Sequence, residues 1–120
     1  MTDAAAFTGT LMAADKSILG ATVVNPAGET LGTVDDLMID NASGRVIYAV
    51  MSFGGLLGLG AQYHPVPWEL LTLDPTKEVL VVNLDKTRLE TAPHYDNESD
   101  WTRRYASEVD QFYGINRPPP

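Results

Sequence analysis

Apolar residues in the first two thirds of the chain form short runs separated by glycine, proline, asparagine and aspartate. The runs are rich in β-branched and aromatic residues, which is typical of strands. Turn-forming clusters at residues 25–28, 40–44 and 74–77 would join them as hairpins. The pattern predicts an all-β fold, a small antiparallel barrel or sandwich of about six strands, at residues 21–25, 31–40, 45–53, 63–68, 69–73 and 78–84.

One of these runs, at residues 31–40, changes the parity of its apolar positions between Val34 and Ile39. A strand whose buried face changes in this way usually contains a bulge, because one extra residue re-aims every side chain after it. We therefore predict a bulge at Asp35-Asp36.

Two predicted strands, at residues 45–53 and 78–84, are apolar on both faces. A small barrel buries one face of each strand, so another element must cover the outside. The C-terminal part changes to a helical period, with apolar residues at spacings of four, four and three. This stripe consists of Trp101, Tyr105, Val109 and Phe112. The cover is either this helix or a second copy of the chain, and we expect a homodimer in which barrel exteriors and C-terminal helices share the buried surface.

The same pattern divides the chain into four segments. A single helical turn ended by Gly20 precedes the first strand, and a short helix capped by Asp85 follows the last one. We predict a flexible N-terminal tail at residues 1–14, a barrel domain at 15–95, a C-terminal helix at 96–114 and a proline-rich tail at 115–120.

The composition narrows the classes of function. The 120 residues are 44% hydrophobic and 20% charged, which is typical of one globular domain, and the absence of cysteine excludes disulfides and thiolate sites. A net charge of −8 argues against nucleic acid and anionic lipid as direct partners. No apolar run approaches the ~20 residues that span a bilayer, so we expect a cytoplasmic protein without an integral membrane segment.

Candidate chemistry is sparse. The glycines at residues 55, 58 and 60 reverse the spacing of a dinucleotide fingerprint, and a proline-rich strand follows where that fingerprint needs a helix. We predict instead a flexible apolar loop carrying Leu56, Leu57 and Leu59. Strand alternation sends Asp35 and Asp36 to opposite faces, which argues against a cation site.

His64 and His94 are the only histidines. Without cysteine or a serine-centred elbow, no nucleophilic triad is evident. We expect His64 to be a surface or interface residue, and we predict no catalytic residue, cofactor or metal. The alternative is a small-ligand or enzymatic site at the barrel mouth, formed by His64 and nearby carboxylates.

Several blocks of the sequence resemble the PRC-barrel family in their order and spacing, over roughly residues 17–95. They are Gly20-Ala21-Thr22-Val23-Val24-Asn25, Gly28-Glu29-Thr30-Leu31-Gly32-Thr33-Val34-Asp35-Asp36, Asp40 with Gly44-Arg45-Val46-Ile47-Tyr48-Ala49-Val50, Gly54-Gly55, and Val66-Pro67-Trp68-Glu69. Similar domains form the cytoplasmic part of the photosynthetic reaction centre H subunit and the C-terminal half of a bacterial ribosome-maturation factor.

The resemblance implies a small β-barrel that serves as a protein-binding or assembly module and not as a catalyst. The kinship with the H subunit also leaves open a peripheral membrane or photosynthetic accessory role. We expect a bacterial interaction module that associates with itself and with an unidentified protein partner. Its predicted surface comprises Leu56, Leu57, Leu59, Tyr63, His64, Trp68, Trp101, Tyr105, Val109 and Phe112.

Overall fold

The structure is a computed structural model that describes residues 9–53, 62–95 and 103–117. Six strands and three helices follow one another along these segments, with one turn of 3-10 helix at Trp68–Leu70. The strands are β1 (Thr22–Val24), β2 (Thr30–Ile39), β3 (Val46–Phe53), β4 (Gln62–Pro67), β5 (Thr72–Asp74) and β6 (Val79–Val81). The helices are α1 (Ala14–Ser17), α2 (Lys86–Glu90) and α3 (Arg103–Tyr113).

The six strands form one sheet in the order β4-β3-β2-β1-β6-β5. Neighbouring strands are antiparallel except β1 and β6, which run parallel with Val23 opposite Leu80. The prediction of a purely antiparallel, closed barrel is therefore wrong: the sheet is mixed, and its described strands leave β4 and β5 as unjoined edges. The parallel pair arises because the chain crosses from β4 at one edge to β5 and β6 at the other before it pairs again.

The predicted bulge in β2 is confirmed. Val34 lies opposite Met51, whereas Asp36 lies opposite Val50, so Asp35 is the extra residue. The backbone N–H of Leu37 donates a 2.7 Å hydrogen bond to the side chain of Asp36 at this irregularity. The bulge lets β2 bury apolar residues on the same inner face before and after it.

Two glycines shape the hairpin of β2 and β3, one in the loop and one where the strands approach closely. Gly44 has a φ of 78° and closes the loop between the strands, as the sequence predicts. Gly32 faces β3 so closely that a Cβ at this position would collide with the backbone carbonyl of Ser52. A side chain at residue 32 would therefore push the two strands apart.

Strand β4 is an edge strand with two prolines, Pro65 and Pro67, which cannot donate to a neighbouring strand. Its first half is covered by Tyr95, which exchanges two backbone hydrogen bonds of 3.0 and 3.3 Å with Tyr63. The predicted continuation of the strand over residues 69–73 is wrong in its first half. The N–H of Leu71 bonds to the carbonyl of Trp68, which turns this segment into 3-10 helix before β5 begins.

The inner face of the sheet holds the apolar core, which is closed by Leu89 of α2 and by Ala92 in the segment after that helix. As predicted, Asp85 caps α2: its side chain accepts a 2.7 Å hydrogen bond from the N–H of Arg88. The core consists of Ile18, Val23, Leu31, Val34, Ala49, Met51, Val66, Leu80, Val82, Leu84, Leu89 and Ala92.

Candidate functional site

Helix α3 packs on the outer face of β3 and β4 within the same chain. Alternation along β3 places Tyr48 and Val50 on the face opposite Ala49 and Met51, and both are fully buried although they lie outside the inner core cluster. Tyr48 reaches α3 directly, and Val109 of α3 has no exposed surface. The second apolar face of β3 is therefore covered by the chain's own C-terminal helix, one of the two covers that the sequence predicts.

The sequence-predicted stripe on α3 is the side of the helix that faces the protein. Tyr105 packs edge-on against Tyr95, with ring centroids 5.9 Å apart. The guanidinium of Arg88 in α2 lies 4.3 Å from the centroid of the Phe112 ring and donates a 2.8 Å hydrogen bond to the Phe112 carbonyl. Trp101, the first residue of the predicted stripe, lies outside the described residues.

A polar clamp fixes the segment after α3. The Arg117 guanidinium donates two hydrogen bonds to the Glu69 carboxylate, at 3.0 and 3.1 Å, and its Nε donates a third to Asp110 at 2.9 Å. It also lies 5.2 Å from the centre of the Tyr48 ring. Burial and the bond to the Asp110 carboxylate raise the pKa of Tyr48 above its ordinary value, so its hydroxyl keeps the donated proton. The clamp joins α3 to β3 and to the 3-10 turn.

His64 lies inside the protein, although the sequence reading places it on a surface or at an interface. Its side chain has no exposed area and packs edge-on against Phe53, with ring centroids 5.9 Å apart. The His94 ring is 5.5 Å away, and neither nitrogen of His64 has a hydrogen-bond partner among the described residues. Burial, together with His94, lowers the pKa of His64 to about 4 against an opposing effect of the Pro93 carbonyl. His64 is thus neutral near pH 7.

An apolar groove of about 170 Å³ remains open where the end of the β2–β3 hairpin meets α3. Ile39 is its most exposed large apolar side chain, with 56% of its surface accessible. The groove is lined by Met38, Ile39, Asp40, Ile47, Tyr48 and Ala106. Because Tyr48 and Ala106 belong to both the groove and the α3 contact, docking of the helix builds one wall of the groove.

A second cavity, of about 340 Å³, lies between the α1 region and the β5–β6 turn. Lys16 and Glu78 bring opposite charges to its lining, and Leu19 and Leu73 bring apolar surface. Glu78 has a φ of 57°, an uncommon value for a residue other than glycine, and it occupies the turn between the two strands. No unpartnered buried polar group is found at this cavity among the described residues.

The remaining residues of the predicted interaction surface have different surroundings. Tyr63 is half-buried and stacks on Tyr95, with ring centroids 5.8 Å apart. Trp68 is half-buried against the inner core, and so is Phe112. The loop residues Leu56, Leu57 and Leu59 lie outside the described residues.

Neither the groove nor the clamp is predicted by the sequence pattern. The parity change in β2, which includes Ile39, predicted a bulge, but it did not predict that Ile39 would be exposed at the surface. Arg117 follows α3 in a segment without a periodic pattern of apolar residues. Its salt bridge with Glu69 is therefore seen only in the folded chain.

The described part of the chain contains no group of three or more histidine, cysteine, aspartate or glutamate residues placed to hold a metal ion. None of the helices in that part has the length and apolar character needed to cross a bilayer. His64 and His94 lie side by side, and the described residues place no carboxylate against His64.

A family model of the PRC-barrel domain matches residues 12–97. The match extends from the segment before α1, across all six strands, to the segment that follows α2 and Tyr95. None of the curated proteins compared with the chain matches it.

Proposed function

Because the chain belongs to the PRC-barrel family, we propose that it is a non-catalytic interaction module that binds another protein on the outer surface of its sheet. The observation that carries this proposal is the apolar groove at the end of the β2–β3 hairpin. The chain's own helix covers Tyr48 and Val50, yet the surface beside them, with Ile39 at its rim, is left open. Exposed apolar grooves on small soluble proteins commonly mark sites of protein contact.

The alternative of an enzymatic or small-ligand site around His64 has less support. A general base must reach its substrate, but His64 has no exposed surface and its neighbours are Phe53 and His94. A depressed pKa is also what burial of a structural histidine produces. We therefore assign His64 to packing.

Self-association is a second candidate for the module. Among the described residues, three large apolar side chains that do not line the groove are exposed: Leu11 at 75%, Met12 at 46% and Leu19 at 38%. A homodimer that buries them, together with the glycine-leucine loop around Leu57, would leave the groove free for a different protein. Sedimentation velocity on wild type and Leu57→Asp tests this. A dimer that the variant weakens supports it, and a wild-type monomer at micromolar concentration contradicts it.

We place the module in the cytoplasm and not at a membrane surface, since its net charge of −8 opposes binding to anionic headgroups. Cosedimentation with anionic vesicles would contradict this and would favour the peripheral membrane role that kinship with the H subunit suggests.

The proposed function is tested by capture and reconstitution. The immobilised full chain is used to isolate proteins from cells of its source, and each one is then purified and mixed with the purified chain. We expect a defined complex that Ile39→Asp weakens at least about tenfold. Thr72→Asp, at an exposed position on the opposite edge of the sheet, is the control and should leave the complex intact. Failure of every purified candidate to bind, or equal binding by Ile39→Asp, would contradict the proposal.

A further inference from the structure

The groove beside α3 has the dimensions of a site for one large apolar side chain. Its volume is about 170 Å³, and it opens to solvent beside Ile39. Tyr48 lines the groove and is itself held by the hydrogen bond to Asp110, so this part of the groove is fixed before any partner arrives. A preformed apolar groove lowers the entropic cost of binding.

One carboxylate lines the groove, and a second lies on the same face of β2 as one of the lining residues. Asp40 is one of its lining residues. Asp36 lies on the same outer face of β2 as Met38, because Asp36 is opposite Val50 and Met38 is opposite Tyr48.

The positive charge of Arg45 acts on Asp40, whereas Asp35 and Asp36 form no salt bridge within the described residues. Asp36 is exposed and accepts a hydrogen bond from the N–H of Leu37, and the neighbouring Asp35 is exposed as well. Asp40 accepts a 2.7 Å hydrogen bond from Ser43, which, with the N–H of Ala42, lowers its pKa and keeps it ionised. Three carboxylates against one arginine thus give this part of the hairpin a net negative charge among the described residues.

We infer that this groove binds a basic amphipathic segment of another protein, which inserts an apolar side chain beside Ile39 and places lysine or arginine next to Asp36. This inference rests on the proposed function and names the chemistry of its partner. Complementary charge at the rim of an apolar contact selects partners and speeds their association. A second copy of the chain is a poor occupant, because it would bring another net charge of −8 against these carboxylates.

The test uses two synthetic amphipathic peptides with the same leucine positions, one carrying lysine and the other glutamate at every polar position. Each is titrated into the ¹⁵N-labelled full chain. We expect the lysine peptide to shift the amide resonances of residues 36–40, 47 and 48, and its affinity to fall as the salt concentration is raised. The glutamate peptide should bind at least about tenfold more weakly.

Variants separate the two parts of the site. Ile39→Ser should weaken binding of the lysine peptide about tenfold through lost apolar contact. The double change Asp35→Asn and Asp36→Asn should weaken it and flatten its salt dependence. Leu19→Ser removes an exposed apolar side chain that does not line the groove, and should bind as wild type does.

Equal binding of the two peptides, resonance shifts confined to other residues, or no binding of the lysine peptide would each overturn the inference. These failures differ from failure of the proposed function. A reconstituted partner that needs Ile39 but presents an acidic or neutral surface would refute the inference and leave the proposed function in place. Absence of any reconstituted partner would refute both.

Discussion

The Tyr48 hydroxyl donates a 2.7 Å hydrogen bond to Oδ1 of Asp110, joining β3 to α3 across 62 positions of the sequence. The other oxygen of the Asp110 carboxylate accepts a hydrogen bond from Nε of Arg117. The two terminal nitrogens of the same guanidinium donate to the Glu69 carboxylate. One carboxylate thus links a strand, the helix that covers it and the segment that follows. The bond between Tyr48 and Asp110 is largely shielded from water, because Tyr48 is only 3% exposed.

Removal of the Tyr48 hydroxyl should destabilise the protein. Tyr48→Phe keeps the ring but deletes the donor to a carboxylate, which we expect to lower the free energy of unfolding by about 1.5–3 kcal/mol. Urea denaturation measures the change. Tyr113→Phe is a matched control, since its buried hydroxyl has no partner among the described residues and its loss should be neutral or slightly stabilising. Equal effects of the two changes would contradict the role of the bond.

Arg117 should matter most for the docking of α3. Arg117→Ala removes bonds to Glu69 and Asp110, and because these groups are partly exposed we expect a loss of about 1 kcal/mol. Hydrogen exchange should rise in α3 before it rises in β1. Arg117→Lys should restore only part of the protection, because an ammonium group cannot form the two-pronged contact with Glu69. Lys77→Ala, at an exposed position, serves as the control, and α3 exchange unchanged by Arg117→Ala would argue against the clamp.

His64 should make stability depend on pH. Its pKa is lowered from 6.5 to about 4 in the folded protein, so the unfolded chain binds more protons between these values. The stability contribution of neutral His64 is full above about pH 6.5 and is lost as the pH falls toward 4, by at most about 3.5 kcal/mol.

Denaturant titrations across this pH range measure the slope. His64→Leu should remove most of it, whereas His94→Gln should retain most of it, because burial outweighs the neighbouring ring as the cause of the shift. A slope that survives His64→Leu would show that other groups produce it.

Gly32 should not tolerate a side chain. The Cβ of Gly32→Ala would collide with the carbonyl of Ser52 in β3, so β2 and β3 must separate, at a cost of about 1–3 kcal/mol. Gly9→Ala meets no atom within 4 Å and should change the thermal midpoint little. Similar midpoints for the two variants would contradict the close approach of the strands.

Local features of the fold could be predicted because their causes lie within a few residues. The parity change between Val34 and Ile39 located the bulge, and the position of Asp85 before a helical run located the start of α2. The two apolar faces of β3 indicated that its outside must be covered, and the spacing of Tyr105, Val109 and Phe112 indicated one of the two candidate covers, the other being a second copy of the chain.

The remaining features depend on contacts between distant segments. The parallel pairing of Val23 with Leu80 requires a crossing of the sheet that strand composition does not encode. His64 is buried because it lies opposite Met51 on the inner face of the β3–β4 pair. The prolines at 65 and 67 predicted an edge strand, but they did not indicate which face of that strand is buried. The groove is formed by the β2–β3 hairpin together with Ala106 of α3, two segments that are far apart in the sequence.

The burial of the outer face of β3 and the wall of the groove both require that α3 covers the sheet of its own chain. An isotope-filtered NOE experiment on a mixture of ¹³C-labelled and unlabelled full chains, read at the Tyr48 ring and Ala106, tests this most directly. We predict NOEs between Tyr48 and Ala106 within one labelled chain, and none between labelled and unlabelled chains. NOEs found only between chains, or a Tyr48 ring without contact to α3, would contradict it.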